Sequence, residues 1–425
     1  MTAVELVKKK RDGGALSAEE IAFLVRGIVS GAVSEAQTGA FLMAAYLRGL
    51  SQDETVALTL EMAHSGEMLD LSRIPGTVDK HSTGGVGDKT TLVVAPLVAA
   101  AGVPVPKLSG GALGHTGGTV DRWQAIPGFR TDLTTEAFIA QLTEIGVAVG
   151  GHTSRLAPAD KKLYALRDQT ATVDSVSLIA ASVMSKKLAC GAAAILLDVK
   201  CGRGAFVTDP ERAKELAMTM VEIGQAAGRR MCALITAMDQ PLGKAVGEGI
   251  EMAEAIETLQ GGGPADFVEL CLLVGSQMVH LGGKAESPEA ARPVLEELLG
   301  SGAAYAKFKQ MVAAQGGNLA VLDAPEELGR AKHERLIKAD RSGFIQEINA
   351  HVIGEVARGL VVNHRGGIMV EHKVGDKVAA GELLATLLTD MPEKLDEAAC
   401  RVEAAYLIGE GKPVAASVLL CPAIR

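Results

Sequence analysis

Aromatic residues are scarce in this chain of 425 residues, which has one Trp, four Tyr and eight Phe. Few aromatics together with abundant alanine and glycine indicate packing between small side chains, as in α/β proteins. Charged residues interrupt every long apolar run, and the lysine-rich N-terminus is not followed by an apolar core. The sequence therefore predicts neither a membrane span nor a secretory signal.

A surplus of basic residues is also missing, because the formal net charge is -9. This acidic balance argues against a general nucleic-acid-binding protein, although a local anion site can exist within it. The six cysteines show neither CxxC spacing nor clustering with histidine. We therefore expect free thiols rather than disulfides or zinc ligands, in a protein of the cytoplasm.

Two glycine-rich loops are the most informative segments that are present. The run KHSTGGVGD, residues 80–88, follows an extended segment and precedes a predicted buried helix from Thr90. The run SGGALGHTGGT, residues 109–119, follows a second extended segment. Glycines let the backbone approach an anion closely, and helix N-termini direct unpaired N–H groups at it. Two such loops with Lys, Ser, Thr and His favour a phosphate site over plain tight turns, although neither is a P-loop or a Rossmann motif.

Hydrophobic periodicity predicts the fold class. Residues up to about 69 have helical spacing, with capping patterns that begin at Ser17, Ser34 and Ser51. Short β-branched runs then alternate with helical stretches, which predicts a mostly parallel sheet covered by helices. From about residue 336 the pattern changes to short strands and turns. We predict an α/β protein with a small all-helical domain, a large mixed α/β domain and a C-terminal β-rich (α+β) domain.

Both glycine-rich runs resemble the signature of the thymidine and pyrimidine-nucleoside phosphorylases, the class II nucleoside phosphorylases. Further matches follow the family's order along nearly the whole chain. They are LAPAD at 156–160, LYALRD at 163–168, TATVDS at 170–175, SVMSKK at 182–187, MDQPLG at 238–243 and GDKV at 375–378.

The resemblance implies that the chain leaves the helical domain, returns to it and so forms a cleft between two domains. The implied segments are 1–69 and 157–190 for the helical domain, 70–156 and 191–335 for the α/β phosphate-binding domain, and 336–425 for the C-terminal domain.

The resemblance also implies two groups of site residues. Phosphate would be bound by Lys80, Ser82, Thr91, Lys107, Ser109 and Thr119. The pyrimidine would be bound by Arg167, Ser182 and Lys186, of which Ser182 and Lys186 are four residues apart on one helix face. Arg and Lys suit a leaving group on which negative charge grows. His81 would donate a proton or a hydrogen bond to O2, since the usual pKa of histidine suits partial protonation near neutrality. The catalytic candidates are thus His81, Arg167 and Lys186.

Each of these residues has a structural alternative. Arg167 beside Asp168 suits a surface ion pair, and Lys186 with Lys187 suits a solvated helix face. His81 on its own suits a hydrogen-bonded loop histidine.

The implied reaction is reversible phosphorolysis of a pyrimidine (deoxy)nucleoside, uridine or thymidine, by direct attack of phosphate on C1′. It yields the free base and (deoxy)ribose 1-phosphate. Inorganic phosphate is the co-substrate and no organic cofactor is needed. The resemblance implies a homodimer acting on small molecules, with neither nucleic acid nor membrane as partner.

Three departures from the family stand out. Gly111 replaces an arginine, and Trp123-Gln124 likewise stands where Leu-Glu is usual. The segment after Arg358 is shortened, at a place that in the family lies near the cleft mouth. Lys89 stands where bacterial members have a Thr that helps to bind potassium. The other positions of that metal site are Gly87, Leu242, Ala245 and Glu254. We expect the Lys89 ammonium to replace the potassium ion.

Two rival functions remain open from the sequence. An anthranilate phosphoribosyltransferase-like enzyme would have a related fold, but residues 198–262 lack the adjacent Asp-Glu pair expected for its magnesium. A catalytically impaired family member with a binding role is suggested by Gly111 and the shortened segment.

Overall fold

The computed structural model describes residues 1–111, 114–151, 155–414 and 417–425. Its helices in chain order are α1 Ala3–Arg11, α2 Ala18–Ser30, α3 Glu35–Arg48, α4 Gln52–His64, α5 Thr90–Ala100, α6 Thr119–Gln124, α7 Thr135–Ile145, α8 Pro158–Gln169, α9 Val176–Ala189, α10 Pro210–Ala226, α11 Glu248–Leu259, α12 Ala265–Leu281, α13 Pro288–Gly300, α14 Ala303–Ala314, α15 Ala350–Leu360 and α16 Leu395–Ala404. Within these described residues, no helix has the length and apolar character that crossing a membrane requires.

The strands in chain order are β1 Val78–Ser82, β2 Val105–Ser109, β3 Val147–Gly151, β4 Ala194–Cys201, β5 Arg230–Ala237, β6 Ala245–Val246, β7 His333–Lys338, β8 Gly343–Ile348, β9 Gly367–Val370, β10 Lys377–Val378, β11 Leu383–Thr389 and β12 Tyr406–Gly409.

Helices α1 to α4 form a bundle that α8 and α9 complete. Thr2, Ser17, Ser34 and Ser51 each begin a helix with a reciprocal capping box, in which side chain and backbone satisfy each other's hydrogen bonds. Apolar residues of α1 to α4 pack in one cluster with those of α8 and α9. The three serine capping patterns predicted from the sequence are confirmed, and the helical domain is built from two separate segments of the chain.

The α/β domain contains a parallel sheet. Strands β1, β4 and β5 pair in parallel, as do β2 and β3. The amide of Val78 donates to Pro104 O at 3.0 Å and joins the two pieces, giving the order β3-β2-β1-β4-β5. Helix α5 is almost entirely buried between this sheet and helices α11 to α14. All five strands therefore end at one edge, where α/β proteins bind ligands.

The C-terminal domain consists of small antiparallel sheets with α15 and α16 packed against them. Strand β6 belongs by sequence to the α/β domain, but it pairs with β9 and so joins the four-stranded sheet β6-β9-β11-β7. Residues 417–425 return to the parallel sheet, where Ile424 and Leu419 pair antiparallel with β5. The predicted fold class is confirmed.

One local prediction is wrong. Lys80, His81 and Ser82 were expected in a loop but form the end of β1, and Lys107 and Ser109 belong to β2. These polar residues stay in extended conformation because β1 pairs with the buried strand β4 as far as Asp198.

Candidate active site

The two glycine-rich loops lie side by side at the carboxyl ends of β1 and β2. A Cβ on Gly84, whose φ is +98°, would stand 3.4 Å from Thr116 Oγ1 and 3.1 Å from the ring of Phe206. Gly114 approaches the same ring, since its Cβ would stand 3.2 Å away. Thr91 and Thr119 occupy the first turns of α5 and α6 directly after these loops. The structure thus brings both loops and two helix N-termini to one edge of the sheet.

A buried charge network supports the first loop from below. Lys80 Nζ lies 3.1 Å from Asp198 Oδ2 and 4.0 Å from Asp88 Oδ2. Burial alone would lower the pKa of Lys80, but these two carboxylates raise it overall. The carboxylate of Asp88 accepts from Ser82 Oγ at 2.5 Å and from Thr90 Oγ1 at 2.6 Å. The charge of Lys80 is therefore balanced within the protein by Asp198 and Asp88, and Asp88 in turn holds Ser82.

The charged form of Lys107 is disfavoured by its surroundings. It is 2% exposed, and its ammonium donates to Lys80 O at 2.5 Å. Burial comes first and the nearby Lys187 second in lowering the pKa of Lys107 to about 7, against the opposing effect of Asp79. An anion placed here would relieve both effects. The site therefore favours a bound anion on electrostatic grounds.

We expect phosphate binding at about pH 8 to be accompanied by uptake of nearly one proton, because Lys107 with a pKa of about 7 is mostly neutral in the empty site and the dianion restores its charge. Calorimetric titration in two buffers of different ionisation enthalpy measures this uptake. The Lys107→Arg variant is the control, since a guanidinium stays charged and should take up no proton. Equal uptake in both proteins would contradict the role given to Lys107.

The base-binding candidates lie on α8 and α9. Lys186 Nζ donates to Ser182 Oγ at 3.1 Å and to Asp160 Oδ2 at 2.5 Å, and its side chain is 25% exposed. The guanidinium of Arg167 is buried and donates to the backbone oxygens of Thr172, Val173 and Leu178. Burial lowers the pKa of Arg167, although a guanidinium remains charged. The partly exposed ammonium of Lys186 is available to a ligand, whereas Arg167 shapes the turn between α8 and α9.

Lys187 joins the two halves of the site. Its ammonium donates to Asp79 Oδ2 at 2.8 Å and to Leu108 O at 2.7 Å, so α9 is tied to both β1 and β2. Lys187 is 1% exposed and Asp79 is fully buried. The expectation of a solvated lysine pair is therefore wrong for Lys187, because its neighbour Lys186 alone reaches the cleft. The alternative of an Arg167–Asp168 surface pair is wrong as well, since Arg167 is buried.

Comparison with known proteins agrees with this architecture. Three family models match consecutive parts of the chain: the glycosyl transferase family helical bundle domain at residues 4–66, the glycosyl transferase family a/b domain at residues 75–305, and the pyrimidine nucleoside phosphorylase C-terminal domain at residues 344–409. The pyrimidine-nucleoside phosphorylase of Geobacillus stearothermophilus is 49% identical over 407 residues, which cover 93% of this chain and 94% of that protein. That of Staphylococcus aureus is 48% identical over 412 residues, covering 93% and 95%.

This chain belongs to the pyrimidine-nucleoside phosphorylase family. The crystal structure of anthranilate phosphoribosyltransferase from Thermus thermophilus is also similar, with a TM-score of 0.62 at 22% identity, over 74% of this chain and all but 1% of that one. At that identity the likeness concerns the fold alone.

The protonation state of His81 differs from the one expected from the sequence. Loss of water contact comes first, and the charges of Lys187, Lys107 and Lys186 add to it, in lowering the pKa of His81 well below its ordinary value. The expectation of partial protonation near neutrality is therefore not supported by the surroundings of His81. His81 is a neutral imidazole there and suits donation of a hydrogen bond rather than of a proton.

The departures from the pyrimidine-nucleoside phosphorylase pattern have distinct structural settings. Trp123 is fully buried and stacks on Phe129 and Phe308, so it is a core residue of the α/β domain. Gly111 is exposed. The second loop is held instead by Arg122, which donates to Gly117 O at 2.9 Å and pairs with the buried Glu251.

The shortened segment follows α15, whose N-terminal half packs against both glycine-rich loops. A Cβ on Gly354 would meet Val86 at 2.6 Å and His115 O at 2.8 Å, and the rings of His351 and His115 lie 4.3 Å apart. The C-terminal domain of this family member therefore forms a wall of the phosphate side of the site.

Sequence reasoning missed several residues that hold the site together. They are Asp79, Asp88, Asp160, Asp198, Lys200 and Phe206. Asp88 and Asp160 stand within the motifs that carried the resemblance and Asp79 directly precedes one of them, so their presence was visible but their partners were not. Asp198 and Lys200 follow the apolar part of β4 at the ligand-binding edge, which is a usable signal for a site residue.

Proposed function

We propose that this protein catalyses reversible phosphorolysis of pyrimidine nucleosides, uridine or thymidine and their ribo or deoxy forms, to the free base and (deoxy)ribose 1-phosphate. The observation that carries the proposal is Lys107, a buried lysine whose charged form its surroundings disfavour. It lies on β2, and Lys187 ties the end of this strand directly to the helix that bears Lys186. A site that calls for an anion thus adjoins a cation that suits a departing base. Membership of the family supports the same conclusion.

In the reaction, a phosphate oxygen forms a bond to C1′ while the bond from C1′ to N1 of the base breaks. The bonding electrons leave with the base, whose charge spreads onto O2 and O4. Lys186, held by Ser182 and Asp160, offers its ammonium to that charge. His81 donates a hydrogen bond to O2. The base then takes up a proton to become neutral, and no covalent intermediate with the protein is required.

The phosphate side and the base side belong to different domains. Ser82, Thr91, Lys107, Ser109 and Thr119 stand on the α/β domain, and Ser182 and Lys186 stand on the helical domain. We propose that closure of the cleft between them aligns phosphate with C1′ and excludes water, which would otherwise hydrolyse the glycosidic bond.

Incubation with uridine, thymidine or deoxyuridine tests the proposed function, with the released base and sugar phosphate measured by chromatography. We expect base release that requires phosphate and is not supported when sulfate replaces it. Release without phosphate would indicate a hydrolase. Transfer to anthranilate from a pyrophosphorylated ribose with magnesium would favour the rival enzyme. Calorimetric binding of a pyrimidine without any turnover would favour a binding role.

We further propose a homodimer that assembles through the helical domain and works in the cytoplasm. Met43, Tyr46 and Leu47 share one face of α3 and remain exposed, Leu47 to 71%, which is typical of an interaction surface. All six cysteines are free thiols, in keeping with a reducing compartment. Light scattering that gives a mass near the 44.0 kDa of a single chain would contradict the dimer.

A further inference from the structure

Lys89 directly follows the first glycine-rich loop and stands at the N-cap position of α5, where its side chain makes no capping hydrogen bond. Its side chain is fully buried, and its ammonium donates to Leu242 O at 2.8 Å, Ala245 O at 3.0 Å and Gly87 O at 3.1 Å. The carboxylate of Glu254 lies 2.6 Å from the same nitrogen. Four oxygens from three separate segments of the chain therefore converge on one positive charge.

Such a set of oxygens forms a site for a monovalent cation. Backbone carbonyl oxygens replace the hydration shell of potassium in proteins, and one carboxylate balances its charge. The second oxygen of Glu254 accepts from the amides of Lys244 at 2.9 Å and Ala245 at 3.2 Å, which fixes the carboxylate in this position. Site geometry and charge are thus defined by the fold, independently of what occupies the centre.

Potassium does not fit while Lys89 is present. The four positions that the resemblance assigns to the ion, Gly87, Leu242, Ala245 and Glu254, are the same four that surround the Lys89 ammonium at hydrogen-bond distance. There is no space beside it, because even a Cβ on Gly243 would stand 3.0 Å from Lys89 Nζ and 2.4 Å from Glu254 Oε2.

We propose that the Lys89 ammonium is a built-in monovalent cation that replaces potassium and makes this protein independent of the ion. It ties the first glycine-rich loop to residues 242–245 and to α11. Asp88, the residue directly before Lys89, holds the hydroxyl groups of Ser82 and Thr90. Lys89 is therefore a positioning residue for the phosphate side of the site, with no contact to the reacting atoms.

A second lysine, from the C-terminal domain, binds neighbouring carbonyl oxygens of the same segment. Lys373 Nζ donates to Gly243 O at 2.8 Å and to Pro241 O, and it lies 3.0 Å from Asp266. The carbonyl oxygens of residues 241–245 are thus shared between two ammonium groups. A potassium ion placed here would therefore face an additional positive charge close by.

The unmodified protein gives the first test. Its melting temperature is measured in potassium, sodium and tetramethylammonium chloride at equal ionic strength, together with the rate of phosphorolysis. We expect the same melting temperature and the same rate in all three salts. A melting temperature that rises with potassium in a saturable manner, and not with sodium, would overturn the proposal, since it would report a bound ion. The activity readout rests on the proposed function, and the thermal readout does not.

The Lys89→Thr variant gives the second test. In tetramethylammonium chloride we expect its melting temperature to be lower by about 5 °C and its kcat/KM for phosphate to be lower by about tenfold. Both losses arise because Glu254 and three carbonyl oxygens lose their cation. Potassium should restore most of both losses, and sodium less. A variant that is fully stable without potassium would overturn the proposal, as would one that potassium restores no better than sodium.

Two controls separate the cation from general damage. Lys89→Met fills the same space without charge and should remain impaired in every salt. Lys89→Thr combined with Glu254→Gln removes both charges, so potassium should no longer restore stability or activity better than sodium. If the variants do not fold in any salt, the comparison of salts on the unmodified protein alone decides the question.

Discussion

We expect the Lys186→Met variant to lose about a thousandfold in kcat/KM for pyrimidine nucleosides, together with some loss of stability because the Asp160 carboxylate loses its ammonium partner. Lys186 is the one ammonium of α9 that is partly exposed to the cleft, and Ser182 and Asp160 hold it in place. Its positive charge stabilises the negative charge that develops on the base as the glycosidic bond breaks. Because this charge is small in the ground state, the loss should fall mainly on kcat rather than on KM.

Steady-state kinetics with paired substrates tests this role. Uridine and 5-fluorouridine differ in how well the departing base carries negative charge, so the better leaving group should suffer a smaller loss in the variant. The Lys161→Met variant is the matched control, since Lys161 lies exposed on α8 and should retain full activity. Equal losses for both nucleosides would contradict a role for Lys186 in stabilising the leaving group.

The neighbouring substitution, Lys187→Met, should affect stability instead. It leaves the fully buried carboxylate of Asp79 without its ammonium partner and removes the donor to Leu108 O. Breaking a buried ion pair by removing one partner costs about 3–5 kcal/mol. We therefore expect the free energy of unfolding to fall by about that amount, measured by chemical denaturation on the first cooperative transition.

The double variant Asp79→Leu with Lys187→Met is the control, because removing both charges avoids a lone buried carboxylate and should restore most of the stability. A second readout follows from the charge of Lys187, which lowers the pKa of Lys107. Without it that pKa rises, Lys107 is already protonated in the empty site, and proton uptake on phosphate binding should shrink. A stable single variant with unchanged proton uptake would contradict the coupling.

Much of the fold is predictable because its signals are local. The capping patterns at Ser17, Ser34 and Ser51 satisfy backbone donors within three residues, and the apolar runs of β4 and α10 have the period of their own element. The end of β1 was placed too early because Lys80 and Ser82 are polar. Their extended conformation depends on pairing with Leu196 and Asp198, which are distant in the sequence.

In the candidate site, too, contacts between residues close in the sequence are predictable and contacts between distant residues are not. Ser182 and Lys186 share a helix face, so their contact follows from spacing alone. The pair of Asp160 with Lys186 spans 26 residues and that of Asp79 with Lys187 spans 108, and no sequence period relates such positions. The lowered pKa of His81 comes first from its burial and then from four lysines on three different elements, and apart from the lysine directly before it none of these neighbours is apparent from the sequence.

The segment 417–425 gives β5 a partner on its outer side, through the amide of Ala233 donating to Ile424 O at 2.8 Å and that of Leu420 donating to Ile235 O at 2.9 Å. A strand at the border of a sheet is otherwise a template for strands of other molecules. Residues 417–425 thus cover the border of the sheet, and we expect a version of the protein without them to expose β5 and to become less soluble.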